Sequence, residues 1–509
     1  MSNKKILKNT LFLYTRQIII VLISLYTLRV VINTLGIEDY GIYTVVAGFV
    51  ALLGFLPGTL ASATQRFFAY AMGQGDELKL YQTFSVNLVL YGLIALITWI
   101  ILQTVGLWYI NNHLKIPEGR TLAAVSIYKL VTISFVVSIF SSPFRAVTIA
   151  HEDMHIFAAL SVIDAVLKLV AVILLDYVAG DNLILYGQFL LINALIIAVA
   201  YIVICFKKYN ECQIKKFYWN GSLLRESLGF TGWTLFGQLS TAFRNQAVTI
   251  LINQAFNPAT VAARSIALTV SSQVMVFSSN LNTGLYPPII KSYSAGNKEQ
   301  MLSLISNGSK LTFFLMWVFA LPMILEMETI LRIWLKTPPV EATLFARLAL
   351  VESLILSISL PIATAARAPG KMKLYELSLG TVQILIFFAS WLALKAGYSA
   401  ASVFIIAIIA NIIMFQMRLS IVNILIDLPL YPYYKKVLTP VILIILLSSL
   451  PGLLIHNMLP DSIWSSLLTI ITCMIGSIIT MYYIGLDKVW REKILGFITN
   501  RLMKIGAKK

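Results

Sequence analysis

The chain has 509 residues, of which 59% are apolar and only 12% charged, and its 39 Lys and Arg against 22 Asp and Glu give a formal net charge of +17. With a mean hydropathy of +0.84 it lies outside the range of soluble domains, where about a quarter of residues are charged. No room is left for a sizeable soluble domain, and the 23 Tyr and 9 Trp suit the interfacial belts of a bilayer protein.

A helix needs about 20 predominantly apolar residues to cross ~30 Å of hydrocarbon. In chain order, fourteen runs qualify: 10–34, 41–70, 78–106, 121–150, 156–178, 183–206, 226–252, 259–289, 301–325, 343–367, 374–394, 400–426, 437–456 and 463–485. The first carries Arg16 and Arg29 and lacks a small-residue cleavage site, so it reads as a retained helix rather than a signal peptide. The longest interruption, the basic segment at 207–227, falls between the sixth and seventh runs.

That is where an internal repeat requires two halves to join. Pro143 and Met154 bracket one turn and Pro361 and Met372 another, each pair 218 apart, as are Lys129 and Arg347. Ile32-Asn33 recurs as Ile252-Asn253, shifted by 220, and Gly75-Asp76 as Gly296-Asn297, shifted by 221. Duplicated halves flanking a substrate path are a common transporter plan. The predicted fold is an all-α integral membrane protein of about 14 transmembrane helices in two pseudo-symmetric six-helix bundles. The lobes are expected at 1–210 and 211–430, with helices 13 and 14 and a basic tail at 431–509.

Loop charges predict the orientation. With the N-terminus inside, the cytoplasmic segments hold 25 basic residues and the outer segments five: Lys115, Arg120, Arg332, Lys336 and Lys395. Both termini are then cytoplasmic and most of the positive charge is topological. Dispersed over many short loops facing an anionic leaflet, it does not point to nucleic acid.

Nine basic residues remain within spans. A charge near the bilayer centre costs about 2.5–3.5 kcal/mol on insertion scales and therefore faces a wet cavity or a partner. Arg16, Arg66 and Lys310 lie near the cytoplasmic surface, where a long side chain can snorkel. Arg29, Arg244, Arg264, Lys129 and Arg347 lie in the outer half, roughly 7–13 Å from span midpoints by helical rise, and are the candidates for contact with an anionic substrate; outward snorkelling is the alternative. Asp164 and Glu352 are the candidate ion-coupling carboxylates, and Asp164 is four residues from Lys168, close enough to pair. Pro143 and Pro361 occupy matching places near the inner ends of their spans and read either as paired hinges or as helix ends.

His151-Glu152-Asp153-Met154-His155 matches the HExxH zinc signature, but it occupies the turn between two spans, where the two His cannot share a helical face. No metal or cofactor is expected. The three cysteines show no paired spacing and no CxxC, and no GxxxxGK[ST] loop is present.

The run Asn33-Thr34-Leu35-Gly36-Ile37-Glu38-Asp39-Tyr40-Gly41-Ile42-Tyr43, with Thr64-Gln65-Arg66-Phe67-Phe68-Ala69 and Gly73-Gln74-Gly75-Asp76, resembles the polysaccharide-transport group of lipid-linked oligosaccharide flippases, the O-antigen type. The superfamily also holds multidrug antiporters and peptidoglycan-precursor flippases. The resemblance implies alternating access of an undecaprenyl-diphosphate-linked glycan from the inner to the outer leaflet of the bacterial cytoplasmic membrane, with no bond broken. Its implied partners are the lipid-linked oligosaccharide, membrane lipids, and polysaccharide polymerase and chain-length proteins. A multidrug antiporter is the alternative within transport, and a membrane-embedded glycan polymerase or acyltransferase the alternative from another class.

Overall fold

The structure, a computed structural model, describes residues 3–51, 53–113, 119–213, 216–335, 337–460, 462–485 and Arg491. Of the basic residues counted above, Lys115, Lys215, Lys336 and those of the tail other than Arg491 lie outside the described residues. All regular elements among the described residues are helical. Those of the first half are α1 (Asn3–Ala51), α2 (Phe55–Gln74), α3 (Glu77–Ile101), α4 (Leu107–His113), α5 (Thr121–Phe140), α6 (Ser142–Ala150), α7 (Met154–Leu174) and α8 (Asn182–Lys208). Those of the second are α9 (Gly221–Ala255), α10 (Pro258–Ser294), α11 (Lys298–Leu325), α12 (Met327–Leu335), α13 (Ala342–Arg367), α14 (Lys373–Lys395) and α15 (Ala401–Ile426). There follow α16 (Leu430–Tyr433), α17 (Thr439–Met458) and α18 (Ile463–Thr480), and α3 continues into α4 through a π-turn at Leu102–Gly106.

Twelve helical stretches among the described residues are long and apolar enough to cross a membrane, the architecture of a multi-pass membrane protein. The two expected runs that do not qualify are helical but more polar. The run at 41–70 is interrupted, since α1 ends at Ala51 and α2 begins at Phe55, and the run at 226–252 lies in α9, which carries Gln238, Arg244, Asn245 and Gln246.

The repeat is written into the backbone. Left-handed φ values occur at Gly75 (70°) and Gly296 (72°), at Glu152 (64°) and Gly370 (82°), and at Gly180 (152°) and Gly397 (85°). These pairs are separated by 221, 218 and 217 positions, the same offset that relates the sequences. The halves differ in detail at the paired prolines: Pro143 stands in the first turn of α6 after a break at Ser141, whereas α13 runs through Pro361 to Arg367.

By packing, the chain forms two units. Unit 1 is Met1–Leu239, Thr283–Met301 and Arg367–Glu376; unit 2 is Ser240–Asn282, Leu302–Ala366 and Leu377–Lys509. Helices in a bilayer gain little from burying apolar surface against one another, so close backbone approach and hydrogen bonds carry more of the association. In unit 1, α5 packs on α8, α1 on α7 and α2 on α6. Gly187 lets α8 approach so closely that a Cβ there would lie 3.0 Å from Leu130.

Unit 1 is fastened at both ends. At one, Arg120 forks between Asp39 and Asp181, and Asp181 also caps α8 by accepting from the amides of Leu183 (3.0 Å) and Ile184 (3.2 Å). Burial pushes the Asp181 carboxyl up, but the bonds from Arg120 and the α8 amides outweigh it and hold the carboxyl below its ordinary range. At the other end, buried Arg66 donates to Glu226 (3.0 Å) and to the Ala368 carbonyl (3.1 Å), with Phe67, Tyr70 and Phe230 around its guanidinium. A Cβ on Gly370 would lie 2.4 Å from that guanidinium, so a side chain there would displace it. Lys291 donates to buried Glu152 at 2.8 Å.

In unit 2, α17 and α18 pack together, and the Trp317 indole donates to Ser448 at 2.9 Å. Glu326, at the end of α11, meets His456 of α17 at 2.8 Å and accepts from Ser466 of α18 at 2.6 Å. The C-terminal helix pair is thereby bonded to the rest of unit 2.

Candidate functional site

Unit 1 holds an open cavity of about 910 Å³ between α1, α5, α6, α7 and α8, at the upper end of the range for ligand pockets. Its lining is graded along the helices. Arg16 and Arg145 lie at the end nearest the basic loops, with Tyr201 and Phe157; the Phe157 ring lies 4.8 Å from the Arg16 guanidinium. Asp164, Lys168 and Asn193 form a middle tier. Val31, on the same stripe of α1 as Arg16 and about 22 Å farther along the axis at helical rise, lies near the tyrosines Tyr40, Tyr43 and Tyr186. Tyr43 meets Tyr186 edge-on at 5.2 Å. The lining therefore offers three basic side chains and one acid.

That acid is engaged. Asp164 accepts from Lys168 (2.8 Å) and from the amide of Asn193 (2.7 Å). Unit 2 holds a trio of the same kind, with only the asparagine on the matching helix: Glu352 accepts from Arg244 (3.0 Å) and from Asn411 (3.0 Å), and Asn193 and Asn411 are 218 positions apart. The second trio is buried, with Glu352 8% and Asn411 1% exposed, whereas the side chains of Asp164 and Lys168 are 33% and 46% exposed. Beside the buried trio, Arg264 is only 7% exposed and donates through Nη1 to Thr249 at 2.5 Å, while its Nε has no hydrogen-bond partner. Among the described residues no carboxylate pairs with it, which leaves a net positive charge in the interior of unit 2.

The residues singled out by depth are thus sorted. Arg244, Arg264 and Glu352 meet in unit 2, and Asp164 and Lys168 pair in unit 1 as their spacing anticipates. Arg29 is exposed on α1 and stands two residues from both Thr27 and Val31, on the face opposite the cavity stripe. Lys129 is exposed on α5. Arg347 donates through Nε to the Ile324 carbonyl (2.8 Å) and through Nη2 to that of Leu325 (3.3 Å), and so satisfies the open carbonyls at the end of α11.

Snorkelling at the cytoplasmic surface is overturned for Arg66 and Lys310, which are 3% and 4% exposed, and Arg16 turns to the cavity. Pro361 does not end its helix. The HExxH residues point to separate partners: His151 to Glu211 (2.5 Å), Glu152 to Lys291, and Asp153 to Lys208 (3.0 Å) and Tyr209 (2.7 Å). Asp153 stands at the start of α7, but its side chain makes no cap there.

The sequence reading missed Arg145, which was among the 25 basic residues counted as cytoplasmic. Pro143 in fact begins α6, and Arg145 donates to the Pro57 carbonyl at 3.3 Å within the cavity wall. It also missed the tyrosines and both asparagines, which carry no charge to mark them.

The arrangement of helices is that of the MATE transporters. A multidrug-resistance MATE transporter of the MOP superfamily in an outward-facing conformation superimposes with a TM-score of 0.69 at 14% identity, over 82% of this chain and 96% of that one. A MATE structure in a bent conformation gives 0.68 at 13% identity, over 83% and 96%. A MOP-superfamily transporter from Pyrococcus furiosus, described as having a binding pocket of reversed polarity that suggests a different function, gives 0.66 at 14% identity, over 82% and 96%. Within the sequence, the MatE family model matches residues 234–385. Comparison with curated proteins finds no match.

Proposed function

We propose that the protein is an alternating-access transporter that carries an anionic, lipid-linked oligosaccharide from the inner to the outer leaflet, delivering it to polysaccharide polymerase and chain-length proteins. The observation that carries this reading is the unit 1 cavity, where Arg16, Arg145 and Lys168 face a single carboxylate already held by Lys168 and Asn193. Basic side chains in a wet cavity lower the barrier to moving a diphosphate through hydrocarbon. Arginine in particular grips tetrahedral oxyanions through its fork. In unit 2, Arg264 supplies a further buried cation, with no carboxylate paired to it among the described residues.

An inside-negative potential favours outward movement of an anion by about 2.3 kcal/mol per charge per 100 mV, so no ATP motor is required. In proteoliposomes, Arg16→Gln with Arg145→Gln should slow flipping of a prenyl-diphosphate-linked glycan at least tenfold, and Lys at both positions should restore part of the rate. Wild-type flipping by the double Gln variant would contradict the reading.

A multidrug antiporter is the second reading. It is favoured by the MATE-like fold and by Asp164 in the cavity, an acid paired with Lys168. Transport of organic cations that fails in Asp164→Asn would establish it in place of the first.

A further inference from the structure

The tyrosine end of the unit 1 cavity has a chemistry that the basic end lacks. Tyr40, Tyr43 and Tyr186 stand together there, and the cavity wall that leads from them along α5 toward Arg145 presents Ser134, Ser138 and, just past the helix end, Ser141 at spacings of four and three, one helical face. Each serine hydroxyl donates to a backbone carbonyl of its own helix: Ser134 to Leu130 (2.8 Å), Ser138 to Phe135 (2.7 Å) and Ser141 to Ser138 (3.1 Å). Their protons are committed and their oxygen lone pairs are left to accept. A wall of hydroxyl acceptors that leads to aromatic rings suits a ligand with many O–H donors and apolar C–H faces. Sugar rings have both, stacking C–H faces on aromatics and donating hydroxyls to acceptors. A flat hydrophobic cation would use the rings but leave the hydroxyl ladder without a partner, and a bare diphosphate would use neither.

We infer that the cavity from this end toward the arginines is a glycan subsite, in which Tyr40, Tyr43 and Tyr186 stack the far sugar rings and Ser134, Ser138 and Ser141 accept hydroxyls of the sugars between them and the diphosphate, which Arg16 and Arg145 hold. This deepens the transport reading and rests on it. The two ends then have separable jobs: the basic end sets whether an anionic carrier lipid moves, and the tyrosine end sets which glycan moves with it. The tyrosines are specificity-determining residues.

The test compares initial flipping rates of a prenyl-diphosphate-linked trisaccharide and of bare prenyl diphosphate in the same proteoliposomes. Wild type should move the glycan form at least tenfold faster. Tyr43→Leu and Tyr186→Leu, which remove a ring, should lower that ratio at least fivefold, and Tyr43→Phe, which keeps it, should preserve most of the ratio. Tyr40→Leu, at a less buried position, provides the same reading if the other two fail to fold. Arg16→Gln with Arg145→Gln should slow both forms together and leave the ratio standing. A wild-type ratio near one, or a ratio unchanged in every Leu variant, overturns the subsite while leaving the transport reading intact. Transport of neither form overturns both.

Discussion

The two repeats place polar groups at matching positions and put them to opposite uses. Arg244 and Glu352 of the second repeat correspond to Ser24 and Ser134 of the first, offsets of 220 and 218. In unit 2 the long charged pair fills the interior and closes on itself at 3.0 Å. In unit 1 the small serines line a cavity of about 910 Å³, and the carboxylate has moved to Asp164 on α7. Only the asparagine holding each carboxylate, Asn193 or Asn411, has stayed in register. A duplicated backbone fixes where polar side chains can meet; side-chain length decides whether that place is a packed ion pair or a space for a ligand.

The sharpest way to break this comparison is to remove one charge from each trio. Glu352→Leu leaves Arg244 buried without its counter-charge beside Arg264, and losing one partner of a buried pair costs about 3–5 kcal/mol. Asp164→Asn acts on a half-exposed pair, where the loss is about 1 kcal/mol or less. Thermal unfolding in detergent should therefore show a large drop for the first and a small one for the second, and Arg244→Leu with Glu352→Leu should recover much of the stability. Equal drops would mean that the unit 1 trio is as closed as its counterpart.

A smaller effect concerns the clamp of Arg120 with Asp39 and Asp181, which has no counterpart among the described residues of the second repeat: Tyr398 stands where Asp181 would recur, 217 positions on. The Asp181 carboxyl is held below its ordinary range by Arg120 and the α8 amides. A carboxyl with a folded value below its unfolded one contributes stability above the unfolded value, about 3.9, and loses it as pH falls through the folded value. Stability should decline below about pH 4, with a shallower slope in Asp181→Asn, as followed by thermal unfolding across pH. An identical slope would show that the clamp contributes nothing.

The helices were legible because hydropathy marks spans, and the repeat because its turns need particular residues. Gly75 and Gly296 are left-handed helix ends, and glycine adopts that conformation without cost. Charge also exposed Arg244, Arg264, Glu352 and Asp164, since an ion in a span needs a reason. It could not separate Arg347, which caps carbonyls of α11, or Arg29, which turns from the cavity, because depth along a helix says nothing of azimuth. Arg29 sits only two residues from Thr27, yet on the other side of α1. The tyrosines and asparagines were silent for want of charge, although Asn193 and Asn411 share the repeat's offset. Arg145 was hidden in the count of cytoplasmic charges, although Pro143 begins a helix that carries it into the cavity wall.

The central claim is that the interior selects an anion, and the sign of the transported headgroup tests it directly. Vesicles containing the wild-type protein, under one imposed inside-negative potential, should be offered a prenyl-diphosphate-linked glycan and an amphiphilic organic cation of similar size. Potential-driven movement of the glycan lipid, with no competing transport of the cation, is the predicted result. Transport of the cation, with the glycan lipid left in its original leaflet, would contradict it.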